Sequence, residues 1–323
     1  MVNEDFEKAA TAWGLAAEQF STAHSLAEDD TETTRTARGM ALCWHNRGLA
    51  LGRSGDLVGA CRDLQTAANS FATISVPEDE VPCLYFLAEY QFRSERFSQG
   101  FASVEKAIAQ AAAHHLDLWE MKGHELKARA YYTRDGEHRR EALGCLYEAS
   151  QIAHRRDDYD TLRRCLQMTA TVYSENRQFD IALHYLEGAA IAANSGADAL
   201  AIADVARQTR EVVAKQPRPR SEEARHRALE NAKQILSRTV AVDELEATMD
   251  QMRAVIWSDG PPNDGIETLS RPGDDEHDPD DREVDIGPAL RDKLDAAATV
   301  AETARIMMQL GGWHLQQSDP YEA

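Results

Sequence analysis

The chain has 323 residues, of which 43% are hydrophobic and 28% are charged, and its formal net charge at pH 7 is −20. A chain of this length can bury a large core and form more than one domain. So acidic a chain repels phosphate backbones, and we expect no direct nucleic-acid partner. No apolar run approaches the ~18 residues that a membrane span needs, so we expect no membrane contact.

Cysteine usage and the first residues indicate the compartment. The five cysteines are scattered, odd in number and without a CxxC pair, which favours reduced thiols over a disulfide framework. The acidic start, Met1 to Asp5, is not followed by the apolar run of a signal peptide. We therefore expect a cytoplasmic protein. The excess of Arg over Lys, together with much Ala, is typical of a GC-rich bacterium.

The first predicted element is one helix over residues 4–28, which ends at Asp29 and Asp30. Apolar residues with a period of 3.6 predict the buried face of this helix. They are Phe6, Ala9, Trp13, Ala16, Ala17 and Phe20. We expect this helix to cap whatever follows it.

The next stretch, Trp44 to Ala67, has the sequence pattern of a helix–turn–helix. Trp44 precedes Gly48 by four residues, a Gly-Asp turn follows at 55–56, and a second helix opens with the small residue Ala60. Small residues occur where two helices approach closely. One such hairpin cannot bury its own apolar face, so the pattern predicts stacked copies.

Four copies are present at intervals of 40, 42 and 40 residues. In each second helix, a small residue is followed by a larger apolar one and then by Ala. These triplets are Ala60, Leu64, Ala67; Gly100, Val104, Ala107; Ala142, Leu146, Ala149; and Ala182, Leu186, Ala189. Each first helix carries a large residue and then a small one. These pairs are Trp44/Gly48, Leu84/Ala88, Leu126/Ala130 and Leu166/Ala170.

These landmarks resemble the tetratricopeptide repeat over about residues 31–195. That family repeats every ~34 residues, so these copies are long, similar to those of kinesin light chains and of bacterial multidomain regulators. The resemblance implies an all-α, right-handed solenoid of about four helix hairpins. The pairs are expected at 32–75, 80–114, 118–154 and 158–194, with Pro77 and Pro82 at the first boundary.

The later chain reads as a helical extension. Gly196 is expected as the cap of the fourth pair. A helix over 197–215 would cover it with Leu200, Ala203, Val205 and Val213. Residues 1–215 would then form the solenoid, and two further helices would follow in 216–257. A basic island from Arg207 to Arg227 could bind an acidic partner or segment.

The C-terminal third is expected to change character twice. Residues 258–287 are rich in Pro, Gly and Asp/Glu, and predict a disordered acidic linker. A last helix is expected in 288–312, before a tail over 313–323. Two heptad seams could pair in one chain or in a homodimer. They are Val242, Leu245, Met249, Met252, Ile256 and Leu290, Leu294, Ala297, Ala301, Ala304, Met308.

No motif indicates an enzyme or a cofactor. The adjacent His114 and His115 diverge on a helix, the Glu223–His226 pair lacks a second copy, and the acidic run from Asp274 lacks the Gly and Glu of a calcium loop. Phosphate-binding loops and nucleophile elbows are missing from the sequence. We therefore predict no metal, no cofactor and no catalysis.

The functional hypothesis rests on the resemblance. First helices of tetratricopeptide repeats line a groove that binds peptides or helices. Matching this sequence to that frame places twelve residues in the groove: His45, Asn46, Leu49, Tyr85, Glu89, Phe92, Lys127, Tyr131, Arg134, Arg164, Gln167 and Thr171. The leading interpretation is a protein- or peptide-binding adaptor. The alternative is a sensor whose C-terminal helices switch when a peptide or small ligand binds.

Overall fold

The structure, a computed structural model, describes residues 2–134, 138–215, 222–240 and 242–257. All regular secondary structure in these ranges is α-helical. The twelve helices are α1 (Val2–Ser25), α2 (Asp30–Ser54), α3 (Leu57–Thr73), α4 (Pro77–Arg93), α5 (Phe97–Ala113), α6 (Asp117–Arg134), α7 (Arg139–Arg155), α8 (Tyr159–Glu175), α9 (Phe179–Ser195), α10 (Ala199–Lys215), α11 (Glu222–Leu236) and α12 (Val242–Trp257). Helices α1 to α6, and α8 to α12, each pack against the next. The predicted all-α repeat architecture is confirmed.

Local chemistry accounts for the starts of α2, α3, α4 and α8. Asp29, Asp56 and Asp158 are N-caps, whose carboxylates accept hydrogen bonds from backbone N–H groups three residues on, at 2.7, 2.8 and 3.0 Å. Pro77 occupies the first turn of α4, where its missing N–H costs nothing. Pro82, expected at the boundary, instead lies inside α4.

A 20-residue unit underlies the 40-residue repeat. Most helices have 17 residues, and short turns follow them with one residue in the left-handed region. Those residues are Gly55, Ser75, Glu95 and His115, then Asp157, Arg177 and Ala197. The next N–H reaches back over the turn, as Arg96 N–H does to the Gln91 carbonyl at 2.9 Å. This is the Schellman ending, made here mostly without glycine. Gly196, predicted as the cap, is right-handed, and Ala197 takes the left-handed position.

The repeat landmarks lie in the core. All twelve second-helix landmarks are buried, as are seven of the eight in the first helices, with Trp44 half-buried. Gly48 shows why one position must be small. A Cβ there would lie 2.8 Å from Leu64 Cγ and 3.2 Å from the Ala60 carbonyl oxygen. The sequence register of the first repeat therefore matches the packing of α2 on α3.

The chain divides into two compact units between Ile152 and Ala153, inside α7. In the first unit, α2 packs against α1, α3 and α4. One ion pair is buried there: Arg47 Nη2 donates to Asp63 Oδ1 at 2.9 Å, and the Asp63 side chain is 2% exposed. The Arg47 guanidinium also lies 4.2 Å from the centre of the Trp44 ring.

In the second unit, α10 packs on α9, and α11 contacts both α9 and α10. Buried Glu187 of α9 accepts a hydrogen bond from Gln234 of α11 at 2.8 Å and lies 3.4 Å from Arg238. Helix α12 then packs on α10 and α11. The sequence did not predict that α10 and α11 would continue the hairpin pattern.

Four predicted apolar positions are exposed instead. Leu200 is 84% exposed and Ala203 is exposed, because α10 packs on α9 through Ala201, Val205 and Ala206. On α1, Trp13 and Phe20 each expose 38% of their surface, while Ala10 and Ala17 are buried. Helix α1 therefore buries these two small residues and leaves the two aromatic rings partly exposed.

Several C-terminal predictions fall outside the described residues. These are the linker at 258–287, the helix at 288–312 and the tail at 313–323, together with the 216–221 break. In the α12 seam, Met249 and Met252 are buried and Leu245 is half-buried. The side chains of Val242 and Ile256 are not among those described. The predicted domain boundaries and the homodimer remain predictions.

Candidate functional site

The open face of the first unit lies on its first helices. On α2, Gly48 faces α3, while Gly52 meets the Tyr90 ring of α4 and Gly39 meets the Phe20 ring of α1. The side of α2 between α4 and α1 is thus left to solvent, and it carries Leu42, which is 39% exposed. Positions spaced by three or four residues share one side of a helix. His45 and Asn46 therefore follow Leu42 on this side.

Large apolar side chains continue across this face from helix to helix. Phe20 touches Gly39, one turn before Leu42, which lies one turn before His45. The His45 ring contacts Phe86 at 6.0 Å between centroids. Rings of α4 and α6 then meet: Trp119 lies 6.0 Å from Phe86 and 5.5 Å from Tyr85. We call Phe20, Leu42, His45, Tyr85, Phe86 and Trp119 the apolar strip.

The histidine on the strip is held in its neutral form. Burial lowers the pKa of His45, and the nearby Asp79 carboxylate opposes that effect only partly. His45 Nδ1 lies 3.1 Å from the sulfur of buried Cys83, which is also 3.1 Å from the Asp79 carbonyl oxygen. Burial raises the pKa of the Cys83 thiol. This pair is therefore uncharged, like the strip around it.

The predicted groove residues of α2 and α4 are only partly on the open face. His45, Asn46 and Glu89 are half-buried. Leu49 packs against the cluster around Leu64 and Leu87. Tyr85 belongs to the strip but also packs on the core of Ala88, Val104 and Leu126.

Phe92 and the predicted residues of α6 belong to a different cluster. The Phe101 ring lies 5.1 Å from Phe92 and 4.5 Å from Tyr131, and Tyr131 lies 5.6 Å from His138. These rings join α4, α5, α6 and the start of α7. A Cβ on Gly100 would lie 2.5 Å from the Phe92 ring. Phe92 therefore holds the α4–α5 hairpin together and is not an open groove residue.

Lys127 and Arg134 lie on the same side of α6 as Tyr131. Lys127 Nζ is 2.8 Å from Glu105 of α5 and 5.8 Å from the Tyr131 ring. Burial acts to lower the pKa of Lys127, but the hydrogen bond to Glu105 and nearby negative charge raise it overall. Arg134 is exposed. Lys127 thus ties α6 to α5.

The predicted groove residues of α8 are tied into a polar network in the second unit. Gln167, which is 8% exposed, donates to Asp204 at 2.9 Å and to Gln208 at 3.1 Å. Gln208 donates to the Gln167 carbonyl at 2.9 Å and to Thr171 at 2.8 Å. A hydrogen bond from Arg207 lowers the pKa of Asp204, and Gln167 adds to this against the effect of burial.

Arg164, the remaining residue of the predicted set, bonds within its own helix, to Asp160 and to Thr161. The hydrogen bonds of Gln167, Thr171 and Arg164 thus serve the α8–α10 seam and α8 itself. The repeat pattern in the sequence could not distinguish the open face of the first unit from the hydrogen-bonded α8–α10 face of the second. Both faces carry half-buried residues at the same repeat positions.

Four of the six strip residues, Phe20, Leu42, Phe86 and Trp119, were absent from the predicted groove set. Tyr85, the neighbour of Phe86, was in it. An available signal was the adjacent aromatic pair at 85–86, since two bulky rings at adjacent helix positions cannot both enter one seam. Lys122, also missed, places its ammonium 4.9 Å from the centre of the Trp119 ring.

Metal and basic-patch hypotheses gain no support. In the described residues, no group of three or more His, Cys, Asp or Glu could hold a metal ion. Arg207, at one end of the predicted basic island, pairs with Asp204 and Glu211. All five cysteines are free, and four of them are buried. None of the described helices is long and apolar enough to cross a membrane.

Comparison with known proteins adds little. No protein-family profile matches the chain, and no curated protein matches it significantly. Among solved structures, one match comes from work on the computational design of self-assembling cyclic protein homo-oligomers. It covers 79% of this chain and 93% of its own, with 12% identity and a TM-score of 0.16. A TM-score this low carries no argument about fold or function.

Proposed function

We propose that this chain is a non-catalytic protein-interaction module, a bacterial cytoplasmic adaptor or regulatory subunit built on tetratricopeptide-like repeats. It binds a segment of a partner protein on the apolar strip of its first unit. The observation that carries the proposal is the strip itself, where large side chains from four helices adjoin and stay partly open. Contiguous exposed apolar surface marks interaction sites.

The chemistry of the strip favours recognition over catalysis. Its one imidazole is kept neutral by burial and lies beside a thiol whose pKa is raised. A general base needs a pKa near the working pH, and a thiolate nucleophile needs a lowered one. Aromatic rings that are fixed by neighbouring rings lose little entropy on binding, which suits them to anchor a partner.

The test separates the two aromatic clusters of the first unit. Peptides are selected by display against the full-length chain, and binding of the best one is measured by fluorescence anisotropy. Phe86→Ala and Tyr85→Ala remove strip rings, and each should weaken binding by about 10-fold or more, since anchors at an interface centre cost about 2 kcal/mol or more. Circular dichroism and thermal melting check that each variant is folded.

Tyr131→Ala is the matched control. It removes a half-buried tyrosine that contacts another ring, as Tyr85→Ala does, but from the Phe92–His138 cluster. Its affinity should equal that of the wild type. Equal losses of peptide affinity in Phe86→Ala, Tyr85→Ala and Tyr131→Ala, or no loss in any of them, would place the binding surface elsewhere.

A further inference from the structure

Helix α1 leaves a wide apolar face open. Among the described residues, seven large apolar side chains are exposed, and four of these belong to α1 or to the residue that follows it. They are Trp13, Leu15, Phe20 and Leu26, which expose 38%, 59%, 38% and 73% of their surface. Within the described part of the chain, α1 packs extensively on α2 alone. Its other side therefore has no neighbour.

The open face of α1 also lacks charge. In the 19 residues from Ala9 to Ala27, Glu18 is the only Asp, Glu, Lys or Arg, although 28% of the whole chain is charged. Glu18 lies two residues after Ala16, and two residues on a helix point to nearly opposite sides. A helix that is apolar on almost every side is normally buried on more than one of them. We therefore expect a second neighbour for α1.

Small residues form the middle of this face. They recur at intervals of three, four and seven residues, so they share one side of the helix. They are Ala9, Ala12, Ala16 and Ala23, which are half-buried or exposed. Trp13 and Phe20 lie along the edge near α2, and Leu15 lies along the other edge. Small residues let two helices approach closely, so a second helix can lie on the alanines between these large side chains.

The face is complementary to itself. In a two-fold dimer the same patch of each copy meets its counterpart. An axis perpendicular to α1 at Ala16 makes the two helices antiparallel. Ala9 of one copy then lies opposite Ala23 of the other, and Ala12 lies opposite Phe20, because these pairs are seven and four residues from the centre. The Phe20 ring of each copy thus meets a small residue of the other, as close packing requires.

Charge favours a second copy over other occupants. Each chain has a formal net charge of −20, so two copies repel wherever their carboxylates meet, and self-association requires an uncharged face. A basic partner would be matched by carboxylates, which this face lacks. A helix that lies on a membrane surface carries several Lys or Arg residues, whereas α1 has Lys8 alone.

The exposed area is sufficient for a weak dimer. The exposed parts of the four large side chains amount to about two whole side chains, roughly 400 Å² in each copy. With the alanines between them, two copies bury roughly 1,000 Å² in total, which is the lower end for a specific interface.

We propose that the chain forms a two-fold homodimer in which α1 packs antiparallel on α1 of a second copy. The interface is small, so the dimer dissociates at roughly micromolar concentration. The inference goes beyond the proposed function and does not depend on it, because Phe20 is the one residue of the apolar strip that lies on α1. A dimer carries two apolar strips, so a partner with two binding segments gains avidity.

The experiment measures the mass of the full-length chain by analytical ultracentrifugation at roughly 1–100 µM. The wild type should shift from one chain to two as its concentration rises. Ala12→Glu places a carboxylate in the middle of the face in both copies, and it should raise the dimer Kd by about 10-fold or more. Circular dichroism checks that the variant is folded, which is expected because Ala12 is exposed.

Thr11→Glu is the matched control. It adds the same charge one residue away, at an exposed position on the side of Glu18, and it should change the dimer Kd by less than about 2-fold because that charge is screened by salt. A photo-crosslinking amino acid in place of Gln19, which is also exposed, should give a two-chain product that joins it to residues 9–16 of the other copy.

A dimer that Ala12→Glu weakens and Thr11→Glu does not, with the crosslink from position 19 to 9–16, supports the proposal. A wild type that stays monomeric, an equal dimer Kd in the two variants, or a two-chain product that maps elsewhere overturns it. A monomer that binds vesicles of phosphatidylcholine and phosphatidylserine would overturn it in favour of a membrane.

Peptide binding is a separate readout. Ala12 lies outside the apolar strip, so Ala12→Glu should leave the affinity for the selected peptide unchanged. If that peptide depends on Phe86 and Tyr85 but the chain is monomeric, only this inference fails. If the chain dimerises through α1 but no peptide depends on those rings, the proposed function fails instead.

Discussion

The first helices of the two units carry the same repeat landmarks, but the side chains on their open faces differ in chemistry. In the first unit that face ends in the apolar strip, where Leu42 stays 39% exposed. In the second unit, Gln167, Thr171, Asp204 and Gln208 bond to one another between α8 and α10. The repeat frame fixes which positions are half-buried, and side-chain chemistry decides whether such a position is satisfied within the chain or left for a partner.

Removing the buried ion pair of the first unit should have the largest effect. Asp63→Ala leaves Arg47 without its carboxylate in a site where the Asp63 side chain was 2% exposed. Breaking a buried pair costs about 3–5 kcal/mol, measured as the change in unfolding free energy in urea. Arg253→Ala in the second unit breaks an exposed pair with Asp250, and its midpoint should stay at the wild-type value. Similar losses of unfolding free energy in Asp63→Ala and Arg253→Ala would contradict this contrast between the units.

Acidification should destabilise the first unit through His124. Burial, and to a lesser extent Lys127, lowers the pKa of His124 to about 4, below the ordinary value of about 6.5. The stability that neutral His124 contributes is therefore present above pH 6.5. It is lost as the pH falls toward 4, and the unfolding free energy drops by up to about 3 kcal/mol. His124→Asn should flatten that loss in urea unfolding at pH 7, 5.5 and 4.5. A variant whose pH profile parallels the wild type would contradict the assignment.

Overpacking the first hairpin should cost somewhat less. Gly48→Leu forces a side chain into Leu64 and the Ala60 carbonyl, which should cost about 1–3 kcal/mol, seen as a lower melting temperature. Gly144→Leu is the matched control, because a Cβ there meets nothing within 4 Å. If the two variants melt alike, α2 does not pack on α3 in this register.

The contrast between the two open faces can be tested directly. Gln208→Ala leaves the buried Gln167 with fewer partners and should cost about 1–2 kcal/mol in unfolding free energy. Leu42→Ala removes a side chain that is partly in water, and surface changes of this kind stay within about 0.5 kcal/mol. If Leu42→Ala proved as costly as Gln208→Ala, the strip would be a structural seam and not an open surface.

The smallest expected effect concerns the turns, which both units share. Arg177 adopts φ 61°, a region that glycine enters at no steric cost. Arg177→Gly relieves the strain in the folded state but also gives the unfolded chain more conformational freedom. The net stabilisation should be about 0.5–1 kcal/mol. Gly55→Ala, at φ 100°, should change stability in the opposite direction. Chemical denaturation compares the two, and a shared sign would show that strain at these turns is not the controlling term.

The sequence by itself determined the helices and the repeat. Helix ends are set by local chemistry, such as the Asp56 cap. The landmarks recur because each stacked hairpin needs small residues at the same positions along its helices. Apart from half-buried Trp44, those landmarks are buried, so the fold class and the outer bounds of the four helix pairs could be read from spacing. The site could be read only in part: His45, Asn46, Tyr85 and Glu89 were placed near the open face, but Phe86 and Trp119 were not.

Only the tertiary structure decided which half-buried residues meet. Tyr85 and Tyr131 look equivalent in the repeat frame, yet one joins Trp119 and the other joins Phe101. Leu200 looks like a core residue of α10, yet it is 84% exposed. Helical periodicity defines the stripes of a helix but not their orientation, because the rotation of each helix about its axis is set by the side chains of its neighbours.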